Sequence, residues 1–151
     1  MKPFIVLIAV FFISILSIRL LTQKHDLLLS ARIGMCAMLF FTAIGHFAFT
    51  KGMTMMIPSG IPLKTEIVYL TGVLEILLGI GLIIPGFKVY SAWVLILFFI
   101  VLLPANINAA VKHIDYQKGT FDGNGLAYLW FRVPLQIVFI FWTYLSSLKN
   151  W

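Results

Sequence analysis

The chain has 151 residues, of which 62% are hydrophobic and 11% charged, with a formal net charge of +6 at pH 7. Soluble domains carry about 25% charged residues, so a water-soluble globule is excluded; the mean hydropathy of +1.05 points to an all-α, polytopic membrane bundle. A spanning helix uses about 20 mostly apolar residues, which leaves room for four or five helices in a single membrane domain over residues 1–151 and for no separate soluble domain.

Lys2 is followed by the apolar run PFIVLIAVFFISILSI. A positive start before such a run also suits a signal peptide, but no small-x-small cleavage site follows. Residues 3–22 therefore read as a retained first helix, an N-terminal extra span within 1–25. A short link, QKHDLLLS, leads to a second helix from Ala31 to about Phe49. The next loop, TKGMTMMIPSGIPLK, contains Gly52, Pro58, Gly60 and Pro62, residues that break helices. It is apolar enough to dip into the interface or cover a cavity.

The third helix, Glu66 to Gly86, contains Glu75 near its middle, the one acid deep in apolar sequence. A charge at bilayer depth costs roughly 2.5–3.5 kcal/mol even on lenient insertion scales, so it is usually paired, protonated or functional. Thr71, Gly72 and Gly79 share the face of Glu75; small residues there let another helix approach closely. A Pro-Gly turn precedes residues 89–111, whose end, LLPANINAA, places Asn106 and Asn108 after Pro104. On a regular helix the two asparagines point about 160° apart. After the polar loop VKHIDYQKGTFDGNG, the last helix runs from about Leu126 to Leu148, with Arg132 and Gln136 on one face. Trp130, Trp142, Tyr144 and Trp151 suit interfacial aromatic belts.

Charge and cysteine usage narrow the remaining classes. No basic run interleaved with aromatics argues for nucleic acid; the basic loops fit membrane topology and anionic headgroups. Lys2, Lys51, Lys64, Lys112 and Lys118 fall on one membrane face, and Arg19, Lys24, Arg32, Lys88 and Lys149 on the other, a tie that leaves orientation open. The single cysteine, Cys36, excludes an internal disulfide and a Cys-x-x-Cys centre.

Alternating helix directions put His46, Glu75, Asn106, Asn108, Arg132 and Gln136 in the same membrane half, bordered by the 51–65 and 112–125 loops. At 1.5 Å per residue, Glu75, Arg132 and Gln136 lie roughly 10–15 Å deep. These six are the candidate ligand-binding residues of a polar pocket, and none is assigned a catalytic role. The expected partner of Glu75 is Arg132, as a pair that either locks two helices or faces a ligand. His46 either donates to a backbone carbonyl or serves as a ligand or proton-transfer group. The asparagines either satisfy a Pro-broken helix end or line the pocket. Met53, Met55 and Met56 beside His46 raise a Cu(I) site as an alternative, although methionines in an apolar loop more often pack, and no metal site is assigned.

The ordered segments RIG…FFTAIGHF, MIPSGIP, YLTGVLEILLGIGLIIP, LLPANINAA and FRVPLQ resemble the DoxX-like family of bacterial membrane proteins over roughly residues 31–146. The resemblance implies a compact four-helix core, here residues 30–148 behind the extra first helix, in a bacterial inner (plasma) membrane. It also implies a subunit or accessory role beside quinone-linked or redox-defence partners. The sequence itself shows no haem ligand pair, flavin motif or cysteine pair, so whether the chain is an enzyme stays open. The expectation is a lipid-embedded protein that binds a small hydrophobic, quinone-like molecule and allows a membrane or redox protein partner or a second copy. The rival expectations are an assembly scaffold with a purely structural polar network, and a small transporter, for which five helices without a repeat are few.

Overall fold

The computed structural model of the protein describes residues 2–23 and 26–149. Among these, six α-helices and no strand are formed: α1 (Lys2–Thr22), α2 (Leu27–Ala48), α3 (Thr50–Met56), α4 (Lys64–Ile83), α5 (Lys88–Val111) and α6 (Leu126–Ser147). All but α3 are long and apolar enough to cross a membrane. Helices α2, α4, α5 and α6 close into a ring in which each packs on the next and α6 returns to α2, while α1 packs outside the ring on α2. The ring core is aliphatic and aromatic, with Met35, Leu39, Leu82, Leu95, Phe99 and Phe139 buried together.

Local chemistry sets the helix ends. The second helix begins at Leu27 rather than Ala31 because Asp26 is its N-cap: the carboxylate accepts from the Leu29 amide at 2.8 Å. The Lys24 position lies outside the described residues, as does Trp151. Close approach of α1 to α2 requires Gly34, where a Cβ would stand 2.9 Å from the Leu7 carbonyl. Trp142 then pins α6 to this side of the bundle, its indole N–H donating to the Ala31 carbonyl at 3.0 Å and its ring meeting Phe11 edge-on. Trp142 is thus an internal anchor rather than a belt residue, whereas Trp130 is 84% exposed.

The loop expected over residues 51–65 is half helix. The Thr50–Met56 segment folds as α3 because its backbone meets the 112–125 loop, and a Cβ at Gly52 would overlap the Tyr116 carbonyl. Met56, Ala109 and Ile114 form a second buried cluster there. Met53 and Met55 pack against it. Two side chains fasten the end of α3: Asn108 donates to the Met56 carbonyl at 2.8 Å, and Lys64 donates to the Ile57 carbonyl at 3.0 Å. The result is a lid over the membrane half that holds the candidate residues.

Candidate functional site

The site begins with a missing side chain. In an α-helix the carbonyls point toward the C-terminus and the side chains lean back toward the N-terminus. The Val68 carbonyl and the Glu75 carboxyl therefore converge at the level of Gly72. Because residue 72 has no Cβ, α2 approaches there; a Cβ would lie 2.8 Å from the His46 Cβ. A second close approach follows two turns on, where a Cβ at Gly79 would stand 3.6 Å from the Cys36 Cα. The small-residue face predicted around Glu75 is the seam against α2.

In this seam His46 Nδ1 lies 3.0 Å from the Val68 carbonyl and 3.0 Å from Thr71 Oγ1. A carbonyl oxygen only accepts, so Nδ1 carries the hydrogen. The Thr71 hydroxyl donates to the Ile67 or Val68 carbonyl at 2.9 Å and presents its lone pairs to the ring. The imidazole is fixed, and its Nε2 faces Glu75 Oε1 at 3.6 Å. His46 and Glu75 are 9% and 4% exposed, so their charges are not dispersed by water.

A bare Nε2 opposite an ionised carboxylate would set lone pair against negative charge in a medium that screens little. An imidazolium would answer the carboxylate across this 3.6 Å contact, and a protonated acid would meet a neutral ring. Either placement leaves the pair neutral overall, which removes most of the cost of an acid at this depth. The second carboxyl oxygen, Oε2, is buried and has no hydrogen-bond partner among the described residues.

Glu75 does not pair with Arg132. Its ion-pair contact is with His46, while Arg132 lies partly exposed on α6 with its guanidinium carbon 5.8 Å from the centre of the Tyr128 ring. The reason is the order of helices around the ring: α4 borders α2 and α5, and α6 stands at the opposite corner. Equal depth sets a level but does not make two helices neighbours.

The other candidates divide between two places. Asn106 and Gln136 meet between α5 and α6, Asn106 donating to the Gln136 side-chain oxygen at 3.4 Å. Gln136 in turn donates to the Phe99 carbonyl, one residue before the Ile100 carbonyl that Pro104, lacking an N–H, leaves without its usual helix donor. The Tyr128 hydroxyl reaches Asn106 Oδ1 at 3.5 Å. Tyr128 was not anticipated, although its place four residues before Arg132 puts it on the same face as Arg132 and Gln136. Asn108 points away, to the α3 carbonyls, so the two asparagines do not share a pocket.

A ring of four spanning helices with a buried histidine–carboxylate contact, and a fifth span outside it, defines a multi-pass helical membrane protein. Residues 35–147 match the family described as "Domain of unknown function (DUF8561)". This is well over half of the chain, and the chain belongs to that family. The matched stretch begins inside α2 and ends with α6, so it includes the whole site and leaves α1 outside. Neither the curated proteins nor the solved structures compared with the chain gave a match.

Proposed function

We propose that the protein is a DoxX-like accessory protein of a bacterial inner membrane and that His46 and Glu75 are the groups that meet its ligand. The ligand class is a small amphipathic molecule with a quinone- or quinol-like head, exchanged with a membrane or redox partner. The carrying observation is Glu75 Oε2, a buried polar atom without a partner. Leaving such an atom unpaired costs about 1–3 kcal/mol, more when it is charged, and a bound headgroup offsets that cost. Two of the segments behind the DoxX-like resemblance, the Gly-His pair and the Thr-Gly-x-x-Glu helix, are the ones that meet in this contact.

The test is native mass spectrometry of the protein extracted gently from its own membranes. The expected result is a neutral lipophilic molecule bound to the wild type and lost in Glu75→Gln and His46→Leu. A wild type free of such a molecule, or equal occupancy in all three, refutes the proposal. A scaffold role is the second reading, favoured by the bonds from Asn106, Asn108 and Gln136 that tie helices to one another. On that reading the wild type carries no ligand, and the variants lose stability but, where folded, keep their membrane partner.

A further inference from the structure

At the membrane face opposite the α3 lid, a second charge is buried, and no acid answers it. Arg32, in the second turn of α2, is 9% exposed, and its Nε donates to the Leu28 carbonyl at 3.2 Å. That bond draws the guanidinium back toward the start of α2, the way helix side chains lean. Among the described residues no carboxylate lies within 4 Å of it. Asp26, the acid at this face, is engaged as the cap of α2. Neither Nη nitrogen has a hydrogen-bond partner among the described residues, and neither is sealed in, since the one fully buried and unpartnered side-chain atom among them is Glu75 Oε2. The stem of Arg32 is therefore packed, while its remaining N–H groups reach the surface.

Leu28, whose carbonyl holds that Nε, also lines a cleft of about 290 Å³ with Phe11 of α1, Leu27 and Ala31 of α2, and Trp142 and Leu145 of α6. The cleft offers no free polar group to a ligand. Its Trp142 N–H is committed to the Ala31 carbonyl, and its Ser146 hydroxyl lies 3.3 Å from the Thr143 carbonyl. Leu27 and Leu145 are exposed, so the cleft is open along its flank. The antiparallel packing of α1 on α2 sets Phe11 against Gly34. The cleft therefore runs inward from Leu27 for about 10 Å at 1.5 Å per residue. The same register brings Arg19 to the level of Asp26, while Lys88 begins α5 and Lys149 follows α6 at this face.

We infer that this corner binds an anionic phospholipid, its phosphate held by the Arg32 fork and one acyl chain lying in the Phe11–Trp142 cleft. A guanidinium meets a phosphate with two parallel hydrogen bonds, and the buried cation gains the counter-ion that the described residues do not supply. A soluble anion would use the charge and leave the apolar cleft empty. A zwitterionic lipid would fill the cleft but bring a second cation to a face that already carries Arg19, Lys88 and Lys149. Charge and cleft adjoin at the level where a headgroup passes into its chains, which commits the site to an anionic lipid. The site lies in the other membrane half from His46 and Glu75 and does not depend on the ligand proposed there.

The test is native mass spectrometry of the full chain, stripped of lipid in detergent and titrated with dioleoyl phosphatidylglycerol or dioleoyl phosphatidylcholine, which carry the same chains. The wild type is expected to bind its first phosphatidylglycerol about fivefold or more tightly than its first phosphatidylcholine, the ratio given by one basic side chain at a headgroup. Arg32→Gln should remove most of that preference. Ala31→Phe, which fills the cleft and leaves Arg32 in place, should weaken both lipids severalfold, and it keeps the test decisive if Arg32→Gln does not fold. Equal affinity of the wild type for the two lipids, or a preference that survives Arg32→Gln, overturns the role of Arg32. Phosphatidylglycerol binding unchanged in Ala31→Phe overturns the seating of the chain. Inorganic phosphate in excess should leave the lipid bound; displacement by it assigns Arg32 to a soluble anion and overturns the lipid.

Discussion

Replacing Gly72 with alanine probes the seam on which the site depends. The added Cβ would stand 2.8 Å from the His46 Cβ and 3.2 Å from Phe47 Cε2. The first of these is an atom fixed to the α2 backbone, so no rotamer change relieves it. Restoring ordinary carbon–carbon contact separates α2 from α4 by about 0.6 Å or more. The 3.0 Å bond from His46 Nδ1 to the Val68 carbonyl then stretches to roughly 3.6 Å, beyond hydrogen-bonding range. Overpacking costs about 1–3 kcal/mol and the lost bond about 1 kcal/mol, against a gain of about 1 kcal/mol in helix propensity. The net destabilisation is about 1–3 kcal/mol, or roughly 3–10 °C in Tm for a chain of this size. Cys36 supplies the assay: it is the single cysteine, 8% exposed, and packed against Gly79 in the same seam. Its reaction with a thiol-reactive fluorophore during heating in detergent reports the parting of α2 and α4. Gly60→Ala, where nothing lies within 4 Å of the added Cβ, is the control and should move Tm little. A Gly72→Ala protein as stable as the wild type would refute the close approach and the imidazole geometry built on it.

The remaining predictions use the same thermal assay or simple labelling. His46→Leu should destabilise by about 3–5 kcal/mol because it strands a buried acid, and adding Glu75→Leu should recover part of that loss; a double variant worse than the single one would dismiss the pairing. Arg132→Gln should cost no more than about 1 kcal/mol, the worth of one partly exposed cation–π contact; a loss as large as that of His46→Leu would restore Arg132 as a structural partner. Asn108→Leu should loosen α3, and a cysteine placed at Ser59, in a background lacking Cys36, should then label several-fold faster from water; unchanged labelling would show that the lid does not rely on Asn108. Cysteines at positions 2 and 149 should label from opposite sides of a sealed vesicle, because five spans separate them; labelling from one side would remove a span.

The sequence was most legible where composition and periodicity decide the outcome. Five apolar runs gave five helices, and the small residues around Glu75 marked the face that meets another helix. Asp26 shows what a composition-based boundary overlooks: one carboxylate accepting from Leu29 draws four more residues into α2. The short α3 was hidden because Gly52 signals a break, and only the Tyr116 backbone lying against it explains the glycine as a contact. Arg132 exposes the deeper gap. A depth map orders residues along the membrane normal but carries no information about the order of helices around the ring, and that order gave Glu75 its partner. Tyr128 and the Val68 carbonyl were overlooked for a related reason, since neither stands out as a polar anomaly until a neighbour is placed against it.

The pairing across adjacent spans also bears on how the chain enters a bilayer. Helices emerge in order, and His46 on α2 precedes Glu75 on α4. When the acid arrives, the imidazole that neutralises it is already at hand, together with the backbone carbonyl that orients the ring, which belongs to the same arriving helix. An acid inserted alone would carry its penalty until a partner appeared, and Arg132 would have come only with the final span. Placing the partner upstream turns a costly insertion step into one that can be completed as the helix enters.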